Sequence, residues 1–229
     1  MMSTPERVDL RVSGCVPYPG VVDQGADQSC VAHSFTVAIH CLKNGLGLPA
    51  FPVSRLSSPS LERIFAEAIE LSPDRGRGTS FESVVESALR AHAADLKLLG
   101  WRVVSLPGSV AQCKRRLRLG SPVVAGYQVN ARIARFHSDA RACVEHGFLL
   151  PPFRADPRAE SAHAVLIMGF DDEIGCFLAR NSWGSAWGVD GHFLIRYEDL
   201  EDRSFFTDLV GFARLEEPVR AQPNGARTS

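Results

Sequence analysis

Four short runs in the second half of the chain, PVVAGYQV (122–129), HAVLIMGF (163–170), CFLARN (176–181) and HFLIRY (192–197), are rich in β-branched and aromatic residues and bounded by Gly, Asp or Pro. Each has the length and composition of a buried strand. The first half carries the helical period instead. Val31, Phe35, Ala38 and Leu42 fall on one face of a helix that Gly45 stops. Ser58 and Pro59 open a second helix, with Leu61, Ile64, Phe65, Ala68 and Ile69 turned inward. Thr79 and Glu82 form a capping-box pattern ahead of Val84, Val85, Ala88 and Leu89 in a third. Helices first and strands later predict an α+β chain with a helical and a sheet lobe.

The 229 residues suit one globular unit, and 45% hydrophobic with 22% charged residues excludes a disordered chain. A formal net charge of -1 gives no electrostatic reason to expect nucleic acid or an anionic membrane as partner. The densest basic run, Lys114 to Arg118, sits at helical spacing with Val110, Cys113 and Leu117 and reads as a solvated helix face. No apolar run reaches the roughly 18 residues that span a bilayer, and the first residues lack a signal-peptide hydrophobic stretch. The expectation is a non-secreted, cytoplasmic monomer. Six cysteines, at 15, 30, 41, 113, 143 and 176, are then mostly free thiols.

One of them has the setting of a nucleophile. Cys30 falls in the first turn of the first helix, where unpaired backbone N–H groups and the helix dipole favour a thiolate. His163 begins the strand HAVLIMGF and Asn181 ends CFLARN. Neighbouring strands could present both on one side of a cleft, the imidazole pairing with the thiol and the amide fixing the ring.

The local strings around these residues sharpen the reading. DQG precedes SC, HAV is followed by GFDD, and RNSWGSAWGVDGHF follows, with His163 and Asn181 lying 133 and 151 residues after Cys30. Three motifs in this order and spacing resemble a papain-like cysteine peptidase of compact microbial or viral type. The resemblance covers residues 5 to about 200 and is weakest from 45 to 120. It implies a two-lobe fold, an N-terminal helical lobe (about 20–120) and a C-terminal antiparallel β-barrel-like lobe (about 121–215), with the active-site cleft between them. The N-terminal segment would cross over, one domain would span 1–217, and 218–229 would be a flexible tail.

Position by position, the resemblance makes Cys30 the nucleophile, His163 the proton shuttle and Asn181 the residue that holds its tautomer. Gln24 and the backbone N–H of Cys30 would form the oxyanion hole. Trp183 would shield the Asn181–His163 contact and line the leaving-group side, with Trp187 behind it. Gly78 and Ala164 would bind substrate. The small residues Ala125, Gly126 and Ala164 suggest a side-chain pocket with room for a bulky apolar group. The implied reaction is peptide hydrolysis through a thioester, needing no cofactor and no metal, on a peptide or protein substrate.

Departures from the family pattern keep other readings open. Asp27 and Val31 replace the usual cysteine and tryptophan around the nucleophile, and only 23 residues precede Gln24, which fits a mature form or another mode of control. A binding protein with weak turnover, or an acyl transferase or modifier-removing protease, would use the same residues. His137, Asp139, Cys143 and His146 could be imagined as zinc donors, but their spacing matches no ligand pattern, and the stretch reads as a loop ahead of His163. Asp171 and Asp172 read as a turn between strands.

Overall fold

The structure is a computed structural model that describes residues 5–12, 20–25, 28–44, 59–71, 80–106, 109–153 and 158–216. Asp27, Gly78, Thr79, Cys15 and the tail lie outside the described residues. In chain order come β1 (Arg7–Asp9), α1 (Cys30–Asn44), α2 (Pro59–Leu71), α3 (Phe81–Leu99), β2 (Trp101–Ser105), α4 (Val110–Arg118) and β3 (Val123–Val129). They are followed by α5 (Ala131–Ser138), α6 (Ala140–Glu145), β4 (Ser161–Asp171), β5 (Cys176–Arg180), β6 (His192–Arg196), α7 (Tyr197–Glu201) and β7 (Phe206–Arg214).

The helical half packs α1 against α2, α3 and the sheet strands β3 and β4. As a result α1 is enclosed on every side, and each residue from Val31 to Leu42 is buried, including His33, Ser34, Thr36 and His40. The one-face pattern read from Val31, Phe35, Ala38 and Leu42 therefore understates this helix, which is a core element. The cap of α3 falls on Ser80, whose side chain accepts the Ser83 N–H at 3.1 Å, one residue after the expected Thr79. Gly100, at φ 69, ends that helix in the left-handed conformation and returns its N–H to Leu96 and Lys97.

All strand pairs are antiparallel, in the order β2-β7-β3-β4-β5-β6, with β1 added to β4. Among the described strands the path is open, so the barrel-like lobe is an antiparallel sheet that does not close. Beyond β5, β6 takes isolated bridges from Leu194 to Leu149 and from His192 to Val189. β2, in a stretch assigned by sequence to the helical half, joins the sheet through β7, with Trp101 opposite Arg214. Register places Gly126 opposite Ala164 and Tyr127 opposite His163.

Two surface readings change. The run Lys114–Arg118 is not simply a solvated face, because Arg116 is buried and donates to the Phe212 carbonyl at 3.1 Å. Lys114 pairs with Asp172 under Tyr197, and Arg118 pairs with Glu6 at 2.6 Å. The stretch ahead of His163 is not a plain loop, since residues 131–145 form α5 and α6, Asn130 capping the first and Asp139 the second. No helix among the described residues is long and apolar enough to cross a membrane.

Gly169 shows how closely the N-terminal strand sits on the sheet. A Cβ there would lie 2.4 Å from the Val8 carbonyl oxygen. Gly169→Ala is expected to destabilise the chain by about 1–3 kcal/mol, the usual penalty of overpacking, and to expose the amides of residues 7–10. Urea unfolding combined with hydrogen exchange checks this, and unchanged protection of those amides would count against the contact.

Candidate active site

Cys30 opens α1, and its thiol is free and half-buried. Burial pushes the thiol up, while the backbone N–H groups of Ala164, Val31 and Cys30 itself favour the thiolate. The Ala164 contact brings the helix start against β4 at the residue after His163. All five described cysteines are free.

His163 is buried, and its Nε2 lies 2.9 Å from Asn181 Oδ1. The same oxygen accepts the Ser182 backbone N–H at 2.8 Å. A backbone N–H can only donate, so it fixes which end of the amide faces inward. The atom facing His163 is therefore oxygen, Nε2 carries the imidazole proton, and Nδ1 is left as the basic nitrogen. Burial pulls His163 down to about 4, and the Asn181 bond works in the opposite direction. Trp183 stacks on the imidazole with ring centroids 4.5 Å apart and 25° between planes, and Trp187 meets Trp183 edge-on at 5.4 Å.

Backbone geometry accounts for the loop that delivers Asn181 and Trp183. Gly184, Gly188 and Gly191 all have positive φ, and a Cβ on Gly191 would fall 2.4 Å from Val21 Cγ2. Glycine there lets residues 21–25 lie against the loop. Gln24 N–H bonds the Ser182 carbonyl at 2.8 Å, Asp23 bridges Trp183, and the Ser182 hydroxyl donates to Gln24 Oε1. With its oxygen held by Ser182, the Gln24 amide presents its nitrogen as the donor end. Ala164 is buried within the β3–β4 ladder, and the flank of Gly126 is filled by Phe81 and Asp208, at 3.1 and 3.2 Å from a built Cβ. That wall is thus lined by a ring and a carboxylate as well as by small residues.

The structure connects Cys30 to β4 at Ala164, His163 to Asn181 and Trp183, and Gln24 to Ser182, while Gly78 lies outside the described residues. Among the described residues no three His, Cys, Asp or Glu side chains gather to hold a metal ion. Asp139 instead caps α6, and Cys143 is buried. His137, weighed in sequence only as an imagined zinc donor or a loop residue, packs on Trp183 at 4.6 Å and on His163 at 5.3 Å. Nothing in its local spacing signals that position.

Helices sheathing an antiparallel sheet, with a cysteine at a helix start touching the strand that carries a histidine bonded to asparagine, have the layout of the papain-like class of fold. Xylellain, a cysteine protease from Xylella fastidiosa, superposes with a TM-score of 0.69 at 23% identity, covering 93% of this chain and 90% of that one. The model of the papain family cysteine protease matches residues 104–204. The fold is thus papain-like across the described residues, and the segment 104–204 carries the sequence pattern of the papain family. Rice cysteine endopeptidase Rep1 (Oryza sativa subsp. japonica) is 25% identical over 96% of this chain and 60% of its own length. A viral cathepsin of Adoxophyes honmai nucleopolyhedrovirus is 26% identical over 84% of this chain and 57% of its own. An uncharacterized peptidase C1-like protein of Acanthamoeba polyphaga mimivirus is 27% identical over 48% of this chain and 33% of its own. The chain thus spans between a third and three fifths of these relatives' lengths.

His192, buried beside the loop and bonded through Nδ1 to the Asp190 carbonyl, is pulled down by burial to about 4. The unfolded chain takes up that proton first, near pH 6.5, so the contribution is complete above that value and lost as pH falls toward 4. Urea unfolding of His192→Gln should show a pH slope between pH 6 and 5 that is flatter than wild type by about 1 kcal/mol per pH unit. An unchanged slope would mean that His192 is charged in the folded protein.

Proposed function

We propose that the chain is a cysteine peptidase in which Cys30 is the nucleophile, His163 the acid–base group and Asn181 the residue that fixes its tautomer. The observation that carries this reading is the His163–Asn181 bond under Trp183, which leaves Nδ1 as the free basic nitrogen on a histidine whose neighbour Ala164 touches the thiol. Alone, burial favours a neutral thiol and a neutral imidazole, so the thiolate–imidazolium pair gains by mutual attraction and titrates as a unit.

In the first half-reaction the Cys30 thiolate attacks the scissile carbonyl, and the developing oxyanion is met by the Gln24 amide and the Cys30 N–H. The imidazolium then gives its proton to the leaving amine, which departs and leaves a thioester. Water, deprotonated by His163, attacks the thioester and releases the acid with the thiol restored. Removing an oxyanion donor of this kind costs on the order of 3 kcal/mol in the transition state.

Intact-mass analysis of the reduced chain with a thiol-directed peptidyl epoxide tests the reading. One adduct is expected per chain, absent in Cys30→Ala, retained in Cys113→Ala, and formed at least about a hundredfold more slowly in His163→Ala. No adduct on the folded chain, or one surviving Cys30→Ala, would turn the reading toward a binding protein without turnover.

The substrate is a peptide or protein. The carboxylate of Asp208, bonded only to the Thr207 hydroxyl at 2.7 Å, has no cationic partner among the described residues and stands beside Gly126 and Phe81. A long cationic side chain, its stem on the ring and its head on the carboxylate, suits this wall better than the purely apolar group expected from the small residues. A peptide library should show a Lys or Arg preference at one position before the scissile bond, reduced about tenfold in Asp208→Asn. A preference for aliphatic residues unchanged in that variant would restore the apolar pocket.

A further inference from the structure

His137 ends α5 outside the Cys30–His163–Asn181 set, yet it touches the same surfaces. Trp183 carries His163 stacked on its face and His137 edge-on at 4.6 Å, and the two imidazole centroids are 5.3 Å apart. Trp187 Nε1–H donates to the His137 carbonyl at 2.9 Å, which pins the end of the helix against the aromatic cluster. The His137 Nε2 lies 2.9 Å from the Tyr127 hydroxyl. Tyr127 is wholly buried, facing Phe205 and Phe206 as well as His163.

The phenol can satisfy its proton in one way among these groups, by donating to an unprotonated Nε2. If His137 took up a proton there, both ring nitrogens would be donors, and the phenol O–H would lose that acceptor. Burial and the nearby His163 also oppose a charge on His137. The titratable groups facing it are Tyr127 from β3 and His163 from β4, with His146 of the turn after α6 across Phe136 and Cys30 of α1 on the side of Tyr127. On its own helix Arg135 is engaged with Asp139, and no carboxylate among the described residues is bonded to His137. Two positive imidazoles 5.3 Å apart would repel enough to displace the second protonation by about two pH units at an effective dielectric near 20.

We propose that Tyr127 and His137 are a positioning pair that holds a second imidazole uncharged beside His163, so that the one positive charge of the cleft forms on the imidazole serving Cys30. The pair rests on the peptidase reading for its purpose but not for its chemistry. Tyr127 removes the proton site that His137 would otherwise offer, and His163 keeps a neutral neighbour through the working pH range.

Imidazole NMR titration of the full reduced chain tests this, with His137 assigned by its absence in His137→Gln. In wild type His137 should stay neutral down to about pH 5, whereas in Tyr127→Phe its midpoint should rise by at least about one pH unit and that of His163 should fall. The acid limb of Cys30 alkylation by iodoacetamide should move up by a similar amount in Tyr127→Phe and return in Tyr127→Phe/His137→Gln. A purely structural role would lower stability without moving these midpoints. A His137 already charged near pH 6 in wild type overturns the proposal without any variant, as does a midpoint unmoved by Tyr127→Phe. If the midpoints move while Cys30 never reacts, the pairing holds and the peptidase reading fails.

Discussion

Enclosure of α1 is the constraint on which the rest of the structure depends. A helix buried from Val31 to Leu42 must be covered by α2 and α3 on one side and by β3 and β4 on the other. Its polar residues, His33, Ser34, Thr36 and His40, go inside with it, against the usual cost of burying such groups. The gain is positional. A helix fixed along its whole length cannot shift its first turn, and that turn holds Cys30 against Ala164. Cys30 and strand β4 are brought together by core packing, which flexible loops could not match in precision.

The opposite side of the site is held by polar bonds and rings. Asn181 receives a backbone N–H and the imidazole on one oxygen, so its orientation, and through it the tautomer of His163, follows from the path of the main chain at Ser182. Its amide nitrogen is buried with no hydrogen-bond partner among the described residues. A cavity of about 10 Å³ lies there between His33, Ser34, Arg180 and Asn181. The glycines of the loop admit residues 21–25, and the Ser182 hydroxyl turns the Gln24 amide. The same few residues thus orient both the imidazole and the Gln24 amide. Trp183, Trp187, His137 and Tyr127 pack around His163 in a cluster whose members meet mostly edge-to-face.

Charged groups organise the far side of the sheet. Asp172 gathers Lys114, the Tyr197 hydroxyl and the Glu6 N–H, while Arg118 holds Glu6 and Arg7 approaches Asp171 at 3.7 Å. The exposed pairs contribute little individually. Together they fix the register of β1 on β4, where the Gly169–Val8 contact leaves no slack. This anchors the N-terminal segment of the chain, whose later residues, 21–25, reach the active-site loop.

The sequence by itself determined the class of elements and singled out the residues proposed to react. Strand period and β-branched composition located β3, β4, β5 and β6, and the helical period located α1 and α2, because both depend on local side-chain alternation. Cys30, His163, Asn181 and Gln24 were legible because each sits in a short motif whose spacing reflects a shared architecture. Tertiary structure decided what local pattern cannot encode. The short β1 has too few residues to show a period, and β2 and β7 are assigned by the partners they find across more than a hundred residues. α5 and α6 depend on caps at Asn130 and Asp139, which resemble turn residues until the chain that follows is seen to be helical. Arg116 became a buried donor because packing brought it to the Phe212 carbonyl, which also takes the Ser121 hydroxyl. Whether a given histidine meets solvent or another imidazole is fixed by distant segments, so His137 acquired its place beside His163 only when β3, β4 and the tryptophan loop came together.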